Sequence, residues 1–329
     1  MTTAIETEAL QTVTRRRVLG RLGPFIGLIA VIAIFALMTD FPAQYLSIRN
    51  FRIVVAQTVI VALGAIGMTM IIVSGGIDLS VGSSIALTGV VTALALRDGT
   101  GPLAALLLGV AAGAVIGVIN GLAITKLKVI PFIATLGMLG VARGTAKWLA
   151  DQQTVNVPET WLNDLAVTFP RHTWLLVAPG VWLTLLLAVA AAFALRQSVF
   201  GRRVFAIGSN EAAARACGVP VDRLKVWIYG LAGLLFGLSG VMQMSRLRQG
   251  DPTVAIGTEL DVIAAVVIGG GSLNGGVGTI LGSMIGASIM AVLRNGSQQM
   301  GWPNYIQEII IGAIIVVAVA VDRVRTARG

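Results

Sequence analysis

Long uncharged apolar runs constrain this chain more than any other feature. The stretch 102–124, Pro-Leu-Ala-Ala-Leu-Leu-Leu-Gly onward, holds no charged side chain. About 20 such residues, wound as a helix, cross the roughly 30 Å of hydrocarbon in a bilayer. Only helices and closed barrels satisfy their own backbone polar groups there. A barrel would be written in alternating segments of about ten residues, whereas these runs are unbroken. The fold class that follows is an all-α integral membrane protein. Composition agrees: 56% of the residues are hydrophobic and 12% charged, against about 25% charged in soluble domains.

Ten runs qualify as spans: 24–39, 53–73, 81–96, 102–124, 131–149, 174–195, 226–245, 260–270, 274–293 and 305–321. The 260–270 run is short and holds Asp261, and the 81–96 run follows a glycine-rich break. Arg15, Arg16, Arg17 and Arg21 precede the first run, but Thr39-Asp40-Phe41-Pro42 after it is a poor cleavage site. The first run is therefore read as a retained span, behind a basic cytoplasmic tail of residues 1–21. Residues 22–329 then form a single transmembrane domain. With the N-terminus inside, 15 of the 24 Lys and Arg fall in inside segments. That bias places both termini in the cytoplasm. It also explains the net charge of +9 through membrane orientation, without a nucleic-acid partner.

A shift of 175 residues superposes Val81-Gly82-Ser83 on Ile256-Gly257-Thr258 and Asn120-Gly121 on Asn295-Gly296. Gly137 then falls on Gly312 and Leu63 on Leu238. The second to fifth spans map onto the seventh to tenth, giving two four-helix repeats, about 53–149 and 226–321. Five spans separate the copies, an odd offset that reverses direction in the membrane. Inverted repeats of this kind recur in transporters, with the site where they meet.

Catalytic signatures are missing. There is no P-loop, so ATP is not hydrolysed by this chain. No cluster has metal-ligand spacing, so no metal site is expected. The single histidine, His172, lies in a polar loop, and the single cysteine, Cys217, allows no intrachain disulfide. No cofactor is expected in this chain.

Polar residues at membrane depth are the candidates for a translocation path: Ser74, Asp78, Ser80, Asn120, Glu259, Asp261 and Asn295. Ionisable groups there are costly and face the bundle interior or water. Asp78, Ser80 and Ser83 also read as N-cap residues of the 81–96 helix, and the two roles are compatible. Asn120 and Asn295 could bond across helices. The loops 150–173 and 246–259 carry charges of both signs.

The inside loop 196–225 contains Asn210-Glu211-Ala212-Ala213-Ala214-Arg215-Ala216-Cys217-Gly218. Ser209 or Asn210 can cap a helix, Glu211 suits its first turn, and Gly218 is a natural terminator. A two-turn helix with an alanine face results, either as a plain connector or as a docking element for another protein.

This loop resembles the coupling segment of ABC-importer permeases. Together with Ser74-Gly75-Gly76-Ile77-Asp78-Leu79-Ser80-Val81-Gly82 and Glu259-Leu260-Asp261-Val262-Ile263-Ala264 through Gly269-Gly270, it is similar to the ribose/xylose-type sugar permease family. The resemblance covers about residues 50–322. It implies a homodimeric inner-membrane permease for a monosaccharide, working by alternating access in lipid. Cytoplasmic ATPases that bind ATP and Mg, and an extracytoplasmic sugar-binding protein, would be its partners. It further implies that Asn210, Glu211, Ala212, Ala213, Arg215 and Gly218 dock against the ATPase. The alternative kept open is a secondary transporter driven by an ion gradient.

Overall fold

The computed structural model describes residues 23–169 and 176–326. The basic tail 1–21 and His172 lie outside the described residues. Each apolar run becomes a helix: α1 (Gly23–Met38), α3 (Ile48–Val73), α4 (Val81–Arg97), α5 (Pro102–Thr125), α6 (Pro131–Leu149), α7 (Pro179–Gln197), α10 (Val221–Leu247), α11 (Thr258–Ile268), α12 (Ile280–Gln299) and α13 (Asn304–Thr326). Short helices fill the joints: α2 (Pro42–Tyr45), α8 (Val199–Ser209) and α9 (Glu211–Ala216). Proline occupies the first turn of α5, α6 and α7, where its missing N–H costs nothing.

Among the described residues, α3, α5, α7 and α10 are long and apolar enough to cross a membrane. Their burial differs sharply. The most apolar window of α3 is 83% buried, whereas those of α5 and α7 are each 28% buried. Leu103, Leu107, Leu108 and Val115 of α5, with Leu186, Val189 and Phe193 of α7, lie exposed. Apolar faces of that extent need lipid around them. The protein is an all-α membrane protein with α3 at its centre.

The contact between α5 and α10 is the most extensive between helices among the described residues. Gly109, Gly113, Gly117 and Gly121 recur every four residues along one face of α5. A Cβ on Gly117 would fall on the Tyr229 carbonyl oxygen, and one on Gly113 would lie 2.6 Å from Gly237 Cα. Small residues bring the two backbones together, which is how helices associate where lipid removes the usual hydrophobic drive. Hydroxyls add two ties to α3. Ser239 of α10 donates to the Ile60 carbonyl at 2.8 Å, and Thr69 meets Ser283 of α12 at 2.7 Å.

Several features differ from the sequence reading. The run at 274–293 becomes a helix over Ile280–Gln299, because Gly275 and Gly276 take positive φ and hold the chain in a turn. The run at 53–73 begins five residues earlier, where Ser47 caps α3 by accepting from the Asn50 N–H. The loops 150–173 and 246–259 are joined by a short antiparallel ladder, β1 (Val155–Asn156) with β2 (Gln249–Gly250).

Candidate functional site

One end of the bundle carries a pair of surface helices. Sequence spacing suggests a single short helix between α7 and α10; the structure has two. Ser198 caps α8 by accepting from the Gly201 N–H at 3.1 Å. The α8 helix buries Gly201, Val204 and Ile207, a spacing of three that signals one apolar face. Asn210 then caps α9, accepting from the Ala213 N–H at 2.9 Å. Gly218 has φ +77, a left-handed conformation that glycine adopts freely at a helix end.

Only Ala214 of α9 is buried; it packs with Ile207, Val221 and Leu224. Ala212, Ala213, Arg215 and Ala216 point outward. Charges brace the helix from behind. Glu211 accepts from Lys225 at 2.6 Å and from Arg215 at 3.0 Å. Arg215 also reaches Asp222, and Lys128 approaches Asp222 at 3.5 Å. Partial burial works against ionisation of Glu211. The hydrogen bonds from Lys225 and Arg215 outweigh it and hold the carboxyl below its ordinary value of 4.5. With a lowered folded pKa, the stabilisation is complete above the ordinary value and lost as pH falls through the folded one. Hydrogen exchange of the α9 amides should therefore be flat, after correction for intrinsic rates, from pH 8 to 5 and rise only in stronger acid. A rise near neutrality would remove the charge brace from the account.

The sequence did not disclose how this helix pair meets the bundle. Gly208 of α8 lies against Val73 at the end of α3 and against Gly276 before α12, so that a Cβ there would strike the Val73 carbonyl. The Gly276 N–H donates to that same carbonyl at 2.9 Å. Gly75, Gly208 and Gly275 thus meet backbone to backbone. One junction joins the surface helices to both chain breaks, 74–80 and 269–279.

The predicted path residues do not share one site; two clusters form, and Ser74 and Asn295 lie outside them. Asp78, Ser80 and Asn120 come together at the break between α3 and α4. The Asp78 carboxylate accepts from the Ser80 N–H at 2.7 Å and hydroxyl at 2.6 Å, and Asn120 donates to both side chains. Asn120 therefore does bond across helices. The N-cap assignment needs correction: Asp78 holds the N–H of Ser80, the cap residue itself, and no side chain caps α4. Ser83 donates to the Ser80 carbonyl at 2.9 Å. Ser74 stands apart, donating to the Ile71 carbonyl at 2.8 Å where α3 ends.

The second cluster lies toward the other end of the bundle, on α11. Glu259 accepts from the Gly257 N–H at 3.2 Å. Asp261 is buried and ion-paired with Arg294 of α12. Arg294 went unread because 294–299 looks like a polar loop; an isolated Arg beside a membrane run with a lone Asp in the preceding run was the available signal. Asn295, outside both clusters, accepts from Gln299 at 3.2 Å. Gln299 also donates to Asn50 of α3 at 2.6 Å. So Asn295 bonds within its own helix, and its neighbour makes the tie across. Arg143 of α6, also unread, donates to the Pro252 and Val254 carbonyls at 2.9 and 2.6 Å. Among the described residues no group of His, Cys, Asp and Glu could hold a metal ion.

Apolar faces turned outward and polar clusters enclosed between helices define a multi-spanning membrane permease. The chain belongs to the family described as branched-chain amino acid transport system / permease component, which matches residues 50–319. It is 39% identical over 295 residues to the ribose import permease protein of Escherichia coli K12, covering 90% of this chain and 92% of that one. It is 41% identical over 328 residues to the ribose import permease protein of Bacillus subtilis 168, covering 98% and 100%. The L-arabinose ABC transporter permease protein of Azospirillum brasilense is 33% identical over 294 residues, covering 89% and 86%. No solved structure is significantly similar. The chain is an ABC transporter permease, a transport subunit and not an enzyme.

Proposed function

We propose that this chain is the membrane permease of an ATP-driven importer for a ribose-like monosaccharide. The identity of 39% and 41% to two ribose import permeases, over nine-tenths or more of the chain, carries this reading. The family description names branched-chain amino acids, so the family is broader than one substrate, and the relatives narrow it. On this reading ten spans cross the bacterial inner membrane with both termini cytoplasmic, the basic tail 1–21 ahead of a single permease domain, 22–329. Two such chains pair in lipid. ATP and Mg belong to a separate cytoplasmic ATPase, and a sugar-binding protein delivers solute from outside.

Inverted repeats are supported by the helix bounds. Moved by 175 residues, the starts of α3, α4, α5 and α6 become 223, 256, 277 and 306, against 221, 258, 280 and 304 for α10 to α13. Coupling through the 196–225 loop is supported by the exposed face of α9 and by the glycine junction behind it. Movement imposed on Ala212, Ala213 and Arg215 has a rigid route through Gly208 to both chain breaks, which is the geometry alternating access needs. A carrier driven by an ion gradient has no use for such a surface helix, and the family membership speaks against it.

The test is reconstitution with a ribose-importer ATPase and a ribose-binding protein. Replacing Gly208 by valine should cut ribose uptake at least about tenfold while the permease still folds and inserts, because the junction must open to admit the side chain. A bulky residue at Gly218 or Glu211 should lower sugar-stimulated ATPase activity. Uptake that persists without any ATPase, and is indifferent to these substitutions, would sink the reading.

A further inference from the structure

A polar cavity of about 150 Å³ lies between α3, α10, α11 and α12. It sits toward the C-terminal ends of α10 and α12. The α10 helix begins beside α9 and runs 27 residues, roughly 40 Å at 1.5 Å per residue. The cavity therefore lies toward the face opposite the surface helices. Gln57, Gln243, Arg246, Asp261, Arg294 and Gln298 line it, with smaller apolar side chains between.

Its chemistry is unusual for a membrane interior. The Asp261 side chain is 1% exposed, and Arg294 holds one of its oxygens. The other oxygen, Oδ1, and Nε of Arg294 are buried without a hydrogen-bond partner. Native interiors match nearly all such atoms. Three glutamine amides converge from three different helices, α3, α10 and α12. An amide both donates and accepts, and so does a hydroxyl.

We propose that this cavity is a transient subsite for a polyhydroxylated, uncharged solute on its way through the permease. The inference rests on the sugar reading above and adds the residues that would touch the sugar. Asp261 Oδ1 accepts from one hydroxyl. Arg294 and Arg246 donate to ring or hydroxyl oxygens, and the amides serve vicinal hydroxyls in both directions. A zwitterionic amino acid fits less well. Its ammonium needs a carboxylate whose charge is not already met, and the one carboxylate in the wall is ion-paired with Arg294, although its Oδ1 can still accept from a neutral hydroxyl. Gln57, Gln243 and Gln298 are polar without net charge, so they hold a solute by many weak contacts and release it readily.

The test reads occupancy apart from transport. The full chain is placed in proteoliposomes with Cys217→Ser and Gln298→Cys, and modification of the new thiol by a charged methanethiosulfonate is timed. D-ribose at millimolar concentration should slow the reaction at least about threefold, and L-leucine should not. Asp261→Asn should raise the protecting ribose concentration about tenfold, as loss of a hydrogen bond to a charged group does. Gln243→Ala, at a less demanding position, should raise it by a smaller factor. Uptake of ribose by the complete wild-type system is measured in parallel. Ribose carried without protecting the thiol overturns the subsite alone, and so does protection by leucine in place of ribose. Protection by ribose in a protein whose system carries no ribose overturns the import reading and leaves the subsite standing. Absence of both overturns both.

Discussion

Gly117→Val is expected to destabilise the isolated permease by about 3 kcal/mol or more, measured by SDS-titrated unfolding in mixed micelles. The new Cβ falls on the Tyr229 carbonyl oxygen and within 3.1 Å of Gly233 Cα. Both obstacles are backbone, so no side-chain rotation relieves them. Overpacking a core costs about 1–3 kcal/mol when side chains can yield, and here two helices must separate. Gly140→Ala on α6 is the matched control, since nothing lies within 4 Å of its Cβ position. It should be neutral or gain up to about 1 kcal/mol through helix propensity. Equal losses at the two sites would mean that the α5–α10 crossing is not what holds this half of the bundle.

The reason lies in how α5 is written. Its glycines, with Ala105, Ile116 and Asn120, turn inward, while Leu103, Leu107, Leu108, Val115 and Leu122 turn outward. A soluble helix would place the large apolar residues inside. In lipid the outward face costs nothing, and stability comes from close backbone approach. Asn120 rides on the same inward stripe. The packing that brings α5 against α10 also delivers the Asn120 amide to Asp78 and Ser80.

That logic explains what the sequence disclosed and what it hid. Apolar runs located every long helix within a few residues, because lipid demands unbroken hydrophobicity. They failed where a helix leaves the apolar zone. The last turns of α12, Arg294 to Gln299, read as a loop since every residue but Gly296 is polar there. The first turn of α3, with Asn50, was lost for the same reason. These two segments supply Arg294, Gln298, Gln299 and Asn50, so the missed ends are the polar ends. The α9 helix was legible because its cap, its acidic first turn and its glycine stop are all local signals. Contact between Gly208, Val73 and Gly276 was not, because nothing local records an approach between residues so distant in the chain.

Arg294→Ala should cost about 3 kcal/mol in the same unfolding assay, since it leaves the buried Asp261 carboxylate without its counter-charge. Breaking a buried pair costs about 3–5 kcal/mol, and the side chain of Arg294 is 38% exposed, which puts this pair at the lower end. The double replacement Asp261→Leu with Arg294→Met separates structure from function. Apolar residues of similar volume often replace a buried ion pair without loss, so the double variant should recover most of the stability lost by the single one. If the pair serves only the fold, ribose uptake should recover with it. The unpartnered Asp261 and Arg294 atoms in a polar cavity lead to the opposite expectation: stability returns and uptake stays at least about tenfold down. Recovery of both would confine the pair to packing. Recovery of stability alone would show that the cavity keeps this charge pair for the solute, at a depth where the fold by itself is as well served by leucine and methionine.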